Sequence, residues 1–184
     1  MLHKSWPSEA VLAGKTLFDG GEFIMLEHLI QGSRVNLDYA HKLVADIPEE
    51  NMCLQSVPGM NHAAWVLGHI TYVFDSMIAV YDQKPLMSDD WKKLFNLSSK
   101  PDQDRSKYPS KQALLDAYHA AYERFVEVAK NASPETLARE FPNPRLRPTL
   151  PTIGVAMVHV LTSHQGVHLG QLSAWRRAHG MPSV

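Results

Sequence analysis

The sequence is poor in cysteine, in uncompensated charge and in long apolar runs, and each shortage excludes a class of protein. Its one cysteine, Cys53, has no partner in the chain for a disulfide, so the fold does not depend on an oxidising compartment. A formal net charge of −1 gives little attraction to nucleic acid or an acidic membrane surface. No uninterrupted apolar run approaches the roughly 18–20 residues of a membrane span. The N-terminal stretch also lacks the apolar core of a signal peptide. We therefore expect a cytoplasmic protein that binds neither nucleic acid nor membranes.

The sequence does contain enough apolar residues for a core, and it contains many histidines. Its 184 residues are 45% hydrophobic and 20% charged, which is an ordinary composition for a soluble domain. We expect one domain spanning residues 1–184, since this length suits a single core. Ten histidines is a high number for this length, so their positions are the main clue to function.

The periodicity of apolar residues predicts an all-helical protein with four long helices. These helices are expected at about Glu22–Ile47, Asn61–Asp82, Ser110–Asn131 and Thr152–His179. Shorter helices are expected at Asp89–Leu97 and after Ser133. Ser110 is a typical N-cap, and Gly180 is a typical residue for ending the last helix. Four long helices without strands indicate a four-helix bundle, and the connection of residues 83–109 is long enough to cross it.

The last predicted helix carries polar side chains on its apolar stripe. At about 100° per residue, His164, His168 and Gln171 fall on the stripe. The apolar members of that stripe are Ile153, Met157, Val160, Leu161, Leu172 and Trp175. Burying unpaired polar groups costs on the order of 1–3 kcal/mol each, so these groups need partners. Histidines four residues apart lie close enough on a helix to bind one metal ion. Satisfaction by hydrogen bonds alone is the alternative.

The neighbouring residues exclude two familiar metal sites. Gln165 stands where a zincin protease would carry its catalytic glutamate. The sequence also lacks the Glu-x-x-His pairs of ferritin-like di-iron proteins.

A third ligand is expected from the second predicted helix. His69 lies there on a mostly apolar face with Trp65 and Tyr72. His62 lies two turns earlier on nearly the same face and is a rival ligand or a residue at the mouth of the pocket. We favour His69, because His62 is close to the helix start, where exposure is expected.

Three imidazoles leave a fourth metal position open, which is typical of catalytic zinc sites. A metal there lowers the pKa of bound water and deprotonates a bound thiol. Imidazole ligands suit zinc, nickel and iron alike.

Other residues receive weaker assignments. Trp65, Tyr72 and Gln171 are candidates for the pocket wall or for orienting a ligand, with core packing as the alternative. Core packing is also the expectation for Tyr118 and Tyr122. Asp75 is expected at the surface or an interface. The dipole of the last helix suffices to explain Arg176 and Arg177.

Two segments of the sequence resemble the DinB/YfiT-like superfamily. They are Asn-x-x-x-Trp-x-Leu-Gly-His at Asn61–His69 and His-x-x-x-His-Leu-Gly-Gln at His164–Gln171, with an Arg-Arg pair and Gly180 beyond. The resemblance covers nearly the whole chain. It implies a four-helix bundle, often arranged up-down-down-up and frequently a homodimer. It also implies a metal bound by His69, His164 and His168.

The resemblance implies activity less specifically than it implies the metal site. Members are described as metal-dependent hydrolases, and characterised relatives include transferases that use bacillithiol, mycothiol or glutathione. Our leading hypothesis is an enzyme whose metal activates a low-molecular-weight thiol, or water, against a small-molecule substrate. The alternative is a dimeric, non-catalytic binding or stress protein in which the metal is structural or absent.

Overall fold

The computed structural model describes residues 21–184, with side chains from Met25 onward. In this part of the chain all regular elements are helical, and one isolated bridge pairs Glu140 with Thr152. The predicted all-helical class is therefore confirmed. The expectation about a signal peptide concerns residues outside the described part.

Seven α-helices account for most of the described chain. They are α1 (Gly21–Ala45), α2 (Ala63–Met77), α3 (Asp89–Phe95), α4 (Lys111–Lys130), α5 (Pro134–Ala138), α6 (Ile153–His159) and α7 (Gln165–Ala178). Short 3-10 turns occur at Glu49–Asn51, Ile78–Tyr81 and Arg105–Lys107. A π-helical turn, Val160–His164, joins α6 to α7.

Two residues that were predicted to begin or end a helix do so in the structure. Ser110 accepts the backbone N–H of Ala113 at the start of α4, and Gly180 has a φ of +72° just beyond α7. The fourth predicted helix differs from the expectation, because the π turn divides it into α6 and α7.

α1 runs antiparallel to α4. The Ser33 hydroxyl lies 2.6 Å from the Tyr122 hydroxyl. Further along α1, beyond its end, the carbonyl of Ile47 accepts a hydrogen bond from Lys111 at the start of α4. These contacts close one side of the apolar core.

α2 lies between α4 and α7. It runs parallel to α4, since Phe74 contacts Tyr118 and the later Tyr81 contacts Phe125. It runs antiparallel to α7, because Asn61, just before α2, contacts Gln171 in α7, whereas His69, further along α2, contacts His164 just before α7. α2 and α7 thus face each other along the line where the predicted ligands lie.

The central position of α2 explains its apolar composition. By length and composition alone, the segment Ala63–Tyr81 is apolar enough to cross a membrane. The search for uninterrupted apolar runs did not find it, because polar residues interrupt the segment. Yet 72% of its 18-residue apolar window is buried inside the protein, which is typical of a helix in a protein core.

Two charged residues that were not expected in the interior are buried. Asp75 is 3% exposed, and its carboxylate accepts the backbone N–H groups of Leu86 and Met87. Arg176 is 1% exposed and pairs with Asp46 at the end of α1. The surface expectation for Asp75 was wrong, because it satisfies backbone donors that water would otherwise bind. The helix dipole does not suffice to explain Arg176.

Candidate metal centre

Three histidines from two helical segments converge inside the protein. The candidate ligand nitrogens of His69, His164 and His168 lie within 4.8 Å of one another. The centroid of the His168 ring is 4.7 Å from each of the other two, which are 5.3 Å apart. Nitrogens bound to one tetrahedral zinc lie roughly 3.3 Å apart. Small side-chain rotations would therefore bring all three to one ion.

His69 is held by a short helix that packs across α2. Its ring is buried, and Nδ1–H donates to the carbonyl of Phe95 at the end of α3, at 2.7 Å. This acceptor leaves the lone pair of His69 on Nε2, which is the arrangement found in most metal-binding histidines. The indole of Trp65 stacks on the His69 ring at 4.6 Å and 7°, so it covers one face of this ligand.

His168 is held by the amide of Gln171, one turn further along α7. Nδ1–H of His168 donates to Oε1 of Gln171 at 3.0 Å, and the same oxygen accepts Nδ2 of Asn61 at 3.0 Å. Because Nδ1–H of His168 donates this bond, the lone pair of the ring is on Nε2, which points away from Gln171. Gln171 itself is exposed, so its expected place on the buried stripe was wrong.

His164 has a polar atom without a partner. Its Nδ1 is buried and has no hydrogen bond within the described part of the chain. An unpaired buried nitrogen costs free energy, and a cation between three imidazoles would offset that cost. The residues present therefore fit a bound metal.

Burial keeps the three rings neutral at pH 7. Burial lowers the pKa of His69 to about 4, and it lowers the pKa of His164 to about 3 with help from the neighbouring imidazoles. Burial also lowers the pKa of His168, although its bond to Gln171 opposes the shift. Neutral imidazole is the form that binds metals.

His159 is a further neighbour of the centre, although it does not belong to the predicted apolar stripe of the last helix. Its ring lies 5.7 Å from that of His164, and its Nδ1 is 2.8 Å from the Ser163 hydroxyl. The two histidines are five residues apart, and a π turn brings residues at that spacing together. Helical periodicity contains no signal for this contact.

His62 is a structural residue and not a rival ligand. It is buried, so the expectation of exposure was wrong. Its Nδ1 accepts the backbone N–H of Trp65 as the N-cap of α2, and its Nε2 bonds the carbonyl of Asp102 at 3.0 Å. Both ring nitrogens are therefore occupied.

The remaining candidates pack in the core. Tyr118 and Tyr122 are fully buried, and Tyr72 packs partly buried against the same core.

Comparison with known families identifies the class of protein. A family model described as the DinB superfamily matches residues 34–172. Because this match covers most of the chain, the protein belongs to the DinB superfamily.

A crystal structure of a conserved protein from Enterococcus faecalis has a similar fold. The TM-score is 0.66 at 19% sequence identity, over 83% of this chain and 95% of that chain. Similarity at this identity concerns the fold alone. No curated protein matches the sequence significantly.

Proposed function

We propose that this protein is a metal-dependent enzyme in which His69, His164 and His168 hold one divalent transition metal. Zinc, nickel and iron suit this donor set. The substrate is a small molecule, and a low-molecular-weight thiol or water attacks it. The observation that carries the proposal is the convergence of three neutral imidazoles within 4.8 Å.

A divalent metal held by three imidazoles would supply Lewis acidity, which lowers the pKa of a thiol or water at a fourth position. The chain's own residues prepare the site. The Phe95 carbonyl and the Gln171 amide orient two rings, and Trp65 shields His69 from water. Neutral ligands leave the charge of the metal uncompensated, which favours an anionic partner such as a thiolate.

One observation favours a thiol over water, and a second indicates that this thiol is a separate molecule. The ligand group consists of histidines, with no carboxylate of the described residues among them to act as a general base. The chain's own thiol is unsuited to attack, because burial raises the pKa of Cys53 to about 11. The thiol would therefore be a separate molecule of the kind that the family resemblance implies, such as bacillithiol, mycothiol or glutathione.

We also propose an up-down-down-up four-helix bundle that forms a homodimer in the cytoplasm. The antiparallel pairing of α1 with α4 and the parallel pairing of α2 with α4 support this topology. Light scattering of the purified protein tests the dimer.

Elemental analysis tests the metal site. Protein purified without a tag or a nickel column should contain about one transition-metal ion per chain. The His168→Ala variant should lose the ion, and the variant of an exposed histidine on α4, His119→Ala, should keep it. Far less than one ion in the unmodified protein would favour the non-catalytic alternative.

A conjugation assay tests the reaction. A panel of thiols is incubated with an electrophile, with and without a chelator. We expect chelator-sensitive consumption of one thiol. A bond forms between its sulfur and the electrophilic carbon, the bond from that carbon to its leaving group breaks, and the leaving group and the thiol proton pass to solvent. Absence of thiol-dependent turnover would exclude the transferase, and hydrolysis of an ester panel would then test water as the nucleophile.

A further inference from the structure

The π turn changes which face of the last helical segment is buried. Before the turn Ile153 and Met157 are buried, and Leu161 within the turn is buried as well, as expected. After it the buried residues are Gln165, Leu169, Leu172, Trp175 and Arg176. A continuous α-helix would bury Gln171 and would turn Arg176 outward. One extra residue in a turn rotates everything beyond it by about 100°, which accounts for the difference.

The side chain of Gln165 binds a carbonyl that loses its regular α-helical partner in the π turn. In a regular α-helix the Leu161 carbonyl accepts the backbone N–H of the residue four positions later. Here the backbone N–H of Gln165 donates to Thr162 instead. The Leu161 oxygen accepts Nε2 of the Gln165 side chain at 2.8 Å. The other end of that amide, Oε1, accepts the hydroxyl of Tyr118 on α4 at 2.5 Å.

This network lies where water cannot replace it. Gln165, Tyr118 and Leu161 are each 0% exposed, and an unsatisfied buried polar group costs about 1–3 kcal/mol. Without the Gln165 amide, the Leu161 carbonyl is best satisfied by its own backbone in regular α register. That register would rotate α7 against the preceding turn and so change how His164 and His168 face α2.

We propose that Gln165 and Tyr118 are positioning residues, whose hydrogen bonds hold the π turn and thereby aim His164 and His168 at His69. The proposal rests on the proposed metal site. Neither Gln165 nor Tyr118 is among the three candidate ligands. Gln165 thus stands at the sequence position where a zincin protease has its catalytic glutamate, but its side chain binds the backbone of its own helical segment.

The test compares two tyrosines on the same helix. Tyr118→Phe removes the hydroxyl that binds Gln165, and Gln165→Leu removes the amide. Tyr122→Phe is the matched control, because Tyr122 is equally buried on α4 but its hydroxyl bonds Ser33 and Ile30 of α1. Each variant is titrated with Co²⁺ against a competing chelator, and its visible absorption and melting temperature are recorded.

We expect Gln165→Leu and Tyr118→Phe to weaken Co²⁺ binding by about tenfold or more and to alter the absorption spectrum. Tyr122→Phe should lower the melting temperature similarly but keep the affinity and spectrum. Equal affinities and spectra in all variants would overturn the positioning role. Failure of the unmodified protein to bind Co²⁺ or Zn²⁺ would overturn the proposed function instead.

A metal-free measurement separates these two failures. A crystal structure of metal-free Gln165→Leu should show α7 in regular register with α6. Retention of the π turn in that variant would refute the role of Gln165 whatever the metal does.

Discussion

At the scale of single residues, one amide oxygen serves two elements. Oε1 of Gln171 accepts hydrogen bonds from His168 and from Asn61, which precedes α2. Gln171→Leu removes the acceptor that orients His168, so metal affinity should fall by about 10- to 100-fold. Isothermal titration with Zn²⁺ measures it. Gln31→Leu changes an exposed glutamine on α1 and is the control; equal affinities of the two variants would contradict the role of Gln171.

His62 makes stability depend on pH. Burial lowers its pKa from 6.5 to about 4, so the unfolded chain binds more protons than the folded protein between these values. The free energy of unfolding contributed by His62 is complete above pH 6.5 and is lost as the pH falls towards 4.

His62→Asn keeps an N-cap acceptor but cannot take up that proton. We therefore expect a shallower loss of stability between pH 6.5 and 4 than in the unmodified protein. Urea unfolding at several pH values, with a chelator in all samples, measures both slopes. The low pKa values of His69 and His164 contribute equally to the two proteins, so identical slopes would show that His62 does not titrate as described.

The three ligands could be predicted from the sequence, and so could Gln171 as a residue that orients one of them, but the other supports could not. The spacing of His164 and His168 and the apolar setting of His69 suffice to single them out. The Phe95 carbonyl that holds His69 comes from α3, and the Tyr118 hydroxyl that binds Gln165 comes from α4. Such contacts join residues from separate elements and leave no periodic signal in the sequence.

At the scale of elements, Gly68 allows α3 to approach α2. A Cβ at Gly68 would lie 2.1 Å from the ring of Phe95, which is fully buried. Gly68→Ala should therefore displace α3, destabilise the protein by about 1–3 kcal/mol and disturb the acceptor of His69.

The control for this change is Gly32→Ala on α1, where a Cβ meets nothing within 4 Å. It should leave stability unchanged or raise it by about 0.5–1 kcal/mol, because alanine favours the helix. Denaturant unfolding measures both variants. Equal effects would mean that the contact between Gly68 and Phe95 is not tight.

The sequence predicted well where the helices lie. It predicted the buried face of the last helical segment correctly only as far as the π turn. Apolar spacing and caps such as Ser110 locate elements because they depend on neighbours in sequence. The π turn depends on a bond from Tyr118, 47 residues away from Gln165. Arg176 therefore seemed to lie outside the buried face, whereas the one-residue shift buries it beside Asp46.

At the scale of the whole molecule, the proposed metal would join α2 to α7. Binding to the folded state alone stabilises a protein, by about 2.7 kcal/mol at a free metal concentration 100 times the Kd. Added Zn²⁺ should raise the melting temperature of the unmodified protein and leave that of His164→Ala unchanged. Differential scanning fluorimetry checks this, and a rise of the same size in both proteins would place the binding elsewhere.

The stacking of Trp65 on His69 gives the protein an internal optical reporter. The parallel rings, 4.6 Å apart, place an indole fluorophore within direct reach of any ion on that imidazole. Paramagnetic Cu²⁺ or Ni²⁺ arriving there should quench part of the tryptophan emission, while Zn²⁺ should not quench it in this way. Tryptophan emission can therefore report whether the centre is occupied. Trp65→Phe is the control, in which the remaining tryptophans should be quenched much less by the same metals.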